Sequence, residues 1–124
     1  MAKPTQIECV IATLKVQSIA SSIEFYSRLL GFTKDWEYMQ DGYSMAGISR
    51  DGQSIYLSEG KEGTQAGWLW IGLEDDSIFD RILSSGVKVI QEPTNFPYAY
   101  EMRVEDPDGH ILQLGTEPKG QESP

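Results

Sequence analysis

Two tryptophans, Trp68 and Trp70, lie two positions apart in the apolar stretch AGWLWIGLED. Residues two apart on a β-strand point to the same face, so both indoles would share one face. Leu69, Ile71 and Leu73 would share the other face. Flat rings of this kind stack on planar heterocycles and hold cations over their faces. The alternative is plain packing in a core or in a dimer interface.

Other aromatic side chains gather in two further segments. They are Trp36 and Tyr38 in KDWEYMQDGY, and Phe96, Tyr98 and Tyr100 in TNFPYAYEMR. Carboxylates in the same segments, Asp35, Glu37 and Glu101, would attract a positively charged group. These segments therefore extend the candidate binding surface beyond the tryptophan strand.

The single histidine and the single cysteine are the other residues that could do chemistry. His110 lies in DPDGH beside a turn glycine, and a general base would need a positioned partner that the sequence does not name. We therefore expect a structural histidine. Cys9 cannot form an internal disulfide, and IECVI supplies no cation to activate its thiol. We expect a small buried residue in a reducing compartment.

Composition excludes several classes of function. The chain has 124 residues, and 19 acidic against 10 basic side chains give a net charge of −9. This charge argues against nucleic acids and anionic membranes as partners, and it either attracts cationic ligands or serves solubility. No apolar run approaches the roughly 20 residues that cross a bilayer, and the chain begins without the features of a signal peptide. We expect a cytoplasmic protein.

The sequence contains two related halves. The dipeptide Asp-Gly at 51–52 recurs at 108–109, and Leu57 recurs at the same offset as Leu114. In each half a first strand precedes a helical pattern, and three more strands follow. The chain therefore reads as two βαβββ units, and a unit of this size is marginal alone, so the two should pack together.

The predicted elements follow from periodicity and turn residues. One helix is predicted in SSIEFYSRLLGF, with Ser21 or Ser22 as N-cap and Gly31 as C-cap, and a second in DDSIFDRILSSGV, ending at Gly86. The strands after the helices are predicted at 33–38, 43–49, 54–58, 87–91, 100–105 and 111–115. The Asp-Gly at 51–52 predicts a hairpin turn.

These elements divide the chain into four parts. Residues 1–58 are predicted as the first module and 68–116 as the second. The glycine-rich segment 59–67 is the predicted linker. The polar, proline-containing segment 117–124 is expected to be a disordered tail.

The stretches LKVQSIASSIEFYSRLLGF (14–32) and EDPDGHILQLG (105–115), with the repeat between them, resemble the vicinal oxygen chelate superfamily. That superfamily groups glyoxalase I, extradiol dioxygenases, fosfomycin-resistance enzymes and bleomycin-resistance proteins. The resemblance covers about residues 8–116. It implies an α+β fold, in which two βαβββ modules form a curved, mainly antiparallel sheet with a cleft. It also implies a homodimer, in which modules or arms can be exchanged.

Enzymes of this superfamily typically hold a divalent metal on the first and last strands of each module. The resemblance places these four positions at Ile11, Tyr56, Trp68 and Gln113. Divalent metals at such sites prefer imidazole nitrogen or carboxylate oxygen, which this set does not offer. We expect no metal and no cofactor; a shifted ligand set that includes Glu101 or Glu59 is the alternative.

The resemblance also implies an orientation, because metal positions face the cleft in the superfamily. Trp68 and Trp70 should then point into the cleft, with Tyr56 and the first-strand residues Ile11, Thr13 and Lys15. Within the superfamily the chain is most similar to the metal-free bleomycin-resistance proteins, through its W-x-W strand, LGFTKDW (30–36) and P-Y…E…DP (97–107). Those proteins sequester a cationic antibiotic between two subunits, and Trp36 and Tyr98 fall near their stacking aromatics.

The function predicted from these observations is metal-independent sequestration of a small aromatic or cationic molecule, of the antibiotic-resistance kind. The predicted ligand-binding residues are Trp36, Tyr38, Tyr56, Trp68, Trp70, Tyr98, Tyr100, Glu101 and Gln113. One alternative is a glyoxalase- or lyase-like enzyme with a non-standard metal site. Another is a non-catalytic subunit or sensor whose own aromatic side chains fill the cleft.

Overall fold

The computed structural model describes residues 4–40, 42–60 and 66–120. In chain order the elements are β1 (Ala12–Val16), α1 (Ile19–Leu30), β2 (Thr33–Gln40), β3 (Tyr43–Arg50), β4 (Gln53–Glu59), β5 (Trp68–Gly72), α2 (Phe79–Leu83), β6 (Lys88–Asn95), β7 (Tyr100–Glu105) and β8 (Ile111–Thr116). The predicted βαβββ order is confirmed in both halves.

The eight strands form two sheets of four, in the orders β1-β4-β3-β2 and β5-β8-β7-β6. In each sheet the first strand of the module pairs in parallel with the last strand, and all other pairs are antiparallel. The α+β fold with mainly antiparallel sheets is therefore confirmed. The hairpin turn at 51–52 is also confirmed, because Asp51 (φ 53°) and Gly52 (φ 78°) both have the positive φ that a type I′ turn requires.

The helix ends differ in part from the prediction. Helix α1 begins three or four residues earlier than predicted, because Ser18 is the N-cap and its Oγ accepts a hydrogen bond from the Ser21 N–H at 3.1 Å. Its end at Gly31, which has a left-handed φ of 76°, is as predicted. Helix α2 is a single short turn without a side-chain cap, and it ends at Ser84 before Gly86 is reached.

Alternation along the strands separates the two faces of each sheet. Ile48, Leu57 and the other inward residues of the first sheet share one hydrophobic core with Met102, Leu114 and their neighbours in the second sheet and with both helices. The opposite face of each sheet lies outside that core. These two outer faces are where the tryptophans lie.

The structure corrects the expectation that Cys9 is buried. Cys9 is exposed, because the whole segment 4–10 precedes β1 and packs on nothing described. The start of the predicted tail is held in place, since Asn95 exchanges hydrogen bonds of 2.7 and 2.8 Å with the backbone of Lys119. Residues 61–65 of the predicted linker and 121–124 of the tail lie outside the described residues.

None of the helices in the described ranges is long and apolar enough to cross a bilayer.

A buried hydrogen bond joins the two modules. The Tyr26 hydroxyl on α1 donates to Asp106 Oδ2 at 2.7 Å, and the backbone N–H groups of Asp108 and His110 donate to Asp106 Oδ1 at 2.9 and 2.8 Å. Burial, and then the Asp106 carboxylate, raise the pKa of Tyr26 well above its ordinary value of 10.0. The phenol therefore remains a donor in the folded state.

Replacement of Tyr26 by phenylalanine should cost about 1–2 kcal/mol of unfolding free energy at neutral pH, because the carboxylate loses a donor. Above about pH 10 the unfolded wild-type chain loses the phenol proton while the folded chain keeps it, so wild-type stability should fall as pH rises. The variant lacks this contribution. Urea unfolding from about pH 8 to about pH 11 should therefore show the two proteins converging, whereas a constant gap would contradict this reading.

Candidate ligand-binding faces

The first aromatic face consists of Trp36, Tyr38, Tyr43 and Tyr56 on the outer side of the first sheet. The Trp36 and Tyr56 rings meet edge to face with centroids 5.1 Å apart, and those of Tyr38 and Tyr43 lie 6.4 Å apart. The Trp36 indole lies against Gly47 of the neighbouring strand, where a Cβ would overlap the ring. This glycine gives the indole its place on the sheet.

A β-bulge places Trp36 on this face. Lys34 pairs with the core residue Ile48, and the register shifts at Asp35 so that Trp36 pairs with Gly47. If Asp35 were instead paired regularly in the ladder, Trp36 would point to the same side as Lys34, toward the helices. The bulge therefore converts a helix-facing position into an outward-facing one.

The second aromatic face consists of Trp68, Trp70, Glu101, Arg103 and Gln113 on the outer side of the second sheet. Both indoles are more than half exposed, at 56% for Trp68 and 53% for Trp70. Trp68 Nε1 donates to Gln113 Oε1 at 2.9 Å, and the Trp70 ring lies against the backbone of Gly115. Leu69, Ile71 and Leu73 pack on the core, as strand parity predicted.

Glu101 does not supply free negative charge, contrary to the expectation from sequence. Its side chain is 0% exposed. Its carboxylate accepts hydrogen bonds from Gln113 Nε2 at 2.8 Å and from Arg103 Nε at 3.1 Å, with Gln91 Nε2 at 3.5 Å. The buried acid therefore orients the polar groups that surround Trp68.

The two tyrosines near β7 lie in different surroundings. Tyr98 is exposed in the turn after β6, and its ring stacks on Phe96 with centroids 5.4 Å apart. Tyr100 stacks on Phe79 of α2 at 5.5 Å, on the helix-covered side of the sheet. The side-chain alternation of β7 puts Tyr100 with Met102 on the core face and Glu101 on the outer face, so Tyr100 does not lie on the second aromatic face.

His110 is a structural residue, as expected, and its role is larger than that of a turn residue. It is 1% exposed. Its Nδ1 accepts from the Gly67 N–H at 2.6 Å, and its Nε2 lies 2.6 Å from the Lys15 carbonyl oxygen. These partners require a proton on Nε2 and none on Nδ1, which is the neutral ring. The ring thereby fastens the second module to β1 of the first.

The family model of the Glyoxalase/Bleomycin resistance protein/Dioxygenase superfamily matches residues 9–114, which is most of the chain. The chain belongs to this superfamily. No curated protein matches it.

Solved structures show the same superfamily fold at low identity. TnmS3, an antibiotic binding protein from Streptomyces sp. CB03234, has a TM-score of 0.78 and 21% identity, with 92% of this chain and 99% of TnmS3 covered. TioX from Micromonospora sp. ML1 has a TM-score of 0.75 and 16% identity, covering 86% and 96%. A glyoxylase/bleomycin resistance protein/dioxygenase domain from Frankia sp. EAN1pec has a TM-score of 0.79 and 18% identity, with 94% of this chain and 96% of that domain covered.

The residues at the superfamily's metal positions do not fit a divalent ion. Trp68 donates a hydrogen bond to Gln113 on the second face, and the Tyr56 ring contacts the Trp36 ring on the first face. In the described ranges no three His, Cys, Asp or Glu side chains are grouped as a metal site would require. The substitutes considered are engaged elsewhere, since Glu59 Oε1 accepts from the Ile19 N–H at 2.9 Å and Glu101 is buried among its donors.

The two aromatic faces remain separate within one chain. Every aromatic contact between their described members lies within one module. Cavities of about 400 and 710 Å³ lie at the junction of the modules, and neither is lined by any of the predicted ligand-binding residues. Among the described residues of one chain, the two aromatic faces are therefore separate and open.

Gly115→Ala should displace Trp70, because a Cβ at this position would overlap the indole. The ring is more than half exposed and can swing outward, so we expect a stability cost of about 1 kcal/mol or less and about tenfold weaker binding of a planar ligand. Urea unfolding and a binding titration measure the two effects. Gly60→Ala is the matched control, since nothing lies within 4 Å of its new Cβ. Unchanged affinity in Gly115→Ala would show that Trp70 does not contribute to ligand binding.

Proposed function

We propose that the chain binds a small planar aromatic or cationic molecule without a metal ion and acts by sequestering it. The observation that carries the proposal is the arrangement of the three tryptophans. All lie outside the core, two of them lie against glycines that leave room for the ring, and they remain between 38% and 56% exposed. Large exposed apolar surface grouped in this way marks binding sites.

Magnitudes favour a ligand held between two faces. Stacking on one indole removes on the order of 100 Å² of apolar surface from water, which contributes roughly 2–3 kcal/mol. Micromolar affinity needs about 8 kcal/mol, so one face alone is too weak. Two faces and a few hydrogen bonds come close to that value.

The second face is proposed to come from a second copy of the chain. Within one chain the common core lies between the helix-covered sides of the sheets, so the two aromatic faces do not close on each other. In a homodimer the first face of one copy would oppose the second face of the other. The exposed rings of Tyr38 and Tyr43 on the first face favour such an interface.

The ligand class is proposed from the fold neighbours and the chemistry together. TnmS3 is an antibiotic binding protein, and aromatic faces without metal donors suit capture better than turnover. Sequestration of an aromatic antibiotic in the cytoplasm would then confer resistance without chemical change. Bleomycin is one candidate among planar antibiotics.

Tryptophan fluorescence tests the proposal. Bleomycin and acridine would be titrated separately into the purified protein in the presence of a chelator, with free tryptophan as the control for light absorption by the ligand. We expect saturable quenching at micromolar concentrations of at least one of them. If bleomycin alone causes no quenching, only bleomycin is excluded as a ligand. If neither compound causes quenching, the proposal is contradicted. About one tightly held transition metal per chain would instead favour the glyoxalase- or lyase-like enzyme.

A further inference from the structure

Arg103 occupies a place on the second aromatic face that changes the kind of ligand expected there. Its guanidinium carbon lies 5.0 Å from the centroid of the Trp68 ring, over the ring face. Its Nε donates to Glu101 Oε2 at 3.1 Å. Position 103 pairs with Gln113 on the adjacent strand, so the arginine, the amide and the indole form one continuous surface.

The arginine is anchored and still able to donate. Within the described part of the chain, the hydrogen bond of Arg103 to Glu101 is made by Nε and none is found for the terminal Nη groups, and 27% of the side chain is exposed. An arginine has five N–H donors in a planar fork, which matches two oxygens of a carboxylate, or a phenolate beside a carbonyl. The fork therefore points to an acceptor group at the edge of a stacked ring.

We propose that Arg103 is a specificity-determining residue that selects planar aromatic ligands bearing an anionic or oxygen-rich edge. The inference rests on the proposed function, since it names the ligand class that the second face would take. The ring of the ligand would stack beside Trp68, and the Nη groups of Arg103 would donate to its acidic or carbonyl oxygens. Glu101 and Gln113 are positioning residues, because one holds the guanidinium and the other holds the indole.

The distribution of charge supports an acceptor over a cation at this face. The nearest carboxylate, Glu101, is fully buried and already bonded to Arg103 and Gln113, so an incoming cation would meet the guanidinium first. The net charge of −9 opposes anions only at longer range. That field is screened over about 8 Å at physiological ionic strength, whereas the contact with Arg103 is direct.

A pair of probes with the same ring and opposite charge tests this inference. The probes are an anthracene carboxylate and the corresponding anthracenylmethylammonium ion, each titrated calorimetrically in the presence of a chelator. The wild-type protein should bind the carboxylate about tenfold more tightly than the ammonium ion. Arg103→Met should abolish this preference by weakening carboxylate binding.

Two further variants make the result specific. Arg103→Lys keeps a cation beside Glu101, so the buried acid stays paired. Lysine lacks the planar fork of N–H donors, so the tenfold preference for the carboxylate should fall to about threefold. Arg81→Met is the matched control, because it removes one positive charge from the surface of α2 and should leave the preference unchanged.

The outcomes separate this inference from the proposed function. Equal binding of both probes, tighter binding of the ammonium ion, or an unchanged preference in Arg103→Met and Arg103→Lys would overturn the role of Arg103 and leave capture of aromatics standing. Binding of neither probe would overturn capture of planar aromatics, and the role of Arg103 with it.

Discussion

Replacing Trp68 by alanine should weaken binding of a planar aromatic ligand by one to two orders of magnitude. The indole is 56% exposed, so its loss removes ligand contact without opening the core. The affinity change corresponds to about 1.4–2.8 kcal/mol, which is the value expected for one stacked ring. The unfolding free energy should fall by about 1–2 kcal/mol, because the substitution also removes the hydrogen bond to Gln113 and the contact with Arg103. Calorimetric titration with acridine and urea unfolding measure the two quantities.

The control for this substitution is Leu83→Ala. Leu83 is also an exposed apolar residue, but it lies on α2, on the helix side of the second sheet. The affinity of this variant should match that of the wild type. Equal weakening in both variants would show that the effect of Trp68→Ala is not specific to the face. Unchanged affinity in Trp68→Ala would exclude this indole from the site.

His110→Ala should lower the unfolding free energy by about 3 kcal/mol. The substitution leaves the Gly67 N–H without its acceptor and the Lys15 carbonyl without its donor, and it opens a cavity where the ring was. The bond to Lys15 joins the two modules, and the bond to Gly67 fixes the backbone just before β5. In a chain of this size we expect a decrease in Tm of about 10 °C, measured by circular dichroism at a fixed protein concentration.

Arg81→Ala provides the matched comparison for the histidine. Arg81 Nη1 also joins the modules, donating to the Arg28 carbonyl at 3.2 Å, but this bond is exposed. Its removal should cost about 0.5 kcal/mol or less, because water replaces the partner. A similar loss in both variants would show that burial of His110 does not determine its contribution.

Features that depend on local periodicity could be predicted from the sequence. The alternation in β5 placed both tryptophans on one face and Leu69 and Ile71 on the other, and the Asp-Gly pair placed a hairpin turn. The repeat predicted two modules, which is the architecture observed. These features follow from side-chain geometry within a few residues.

Features that depend on register shifts or on distant partners could not be predicted in this way. The bulge at Asp35 reverses the face of Trp36, and nothing in the sequence marks it. The contacts of His110 are made with residues of both modules, so its linking role appears only after folding. Cys9 is exposed because its segment joins no strand, although its apolar neighbours suggested burial.

Arg103 and the burial of Glu101 are the main features of the second face that sequence reasoning missed. A signal existed, because Glu101 and Arg103 lie two apart in YEMRVE and must share the face opposite Met102. The same strand parity that holds in β5 puts the acid beside the base in β7 and Tyr100 on the core side. The burial of Glu101 itself arises from its neighbours on adjacent strands, which a single strand pattern does not contain.

The indole N–H signals of the three tryptophans offer the most direct test of the central claim, because all three rings lie on the two proposed binding faces. The measurement is a two-dimensional ¹H–¹⁵N spectrum of labelled protein during addition of acridine in the presence of a chelator. We predict that all three signals shift saturably and with one common dissociation constant. Indole signals that stay in place while other residues shift, or that move only after a divalent metal is restored, would contradict the account.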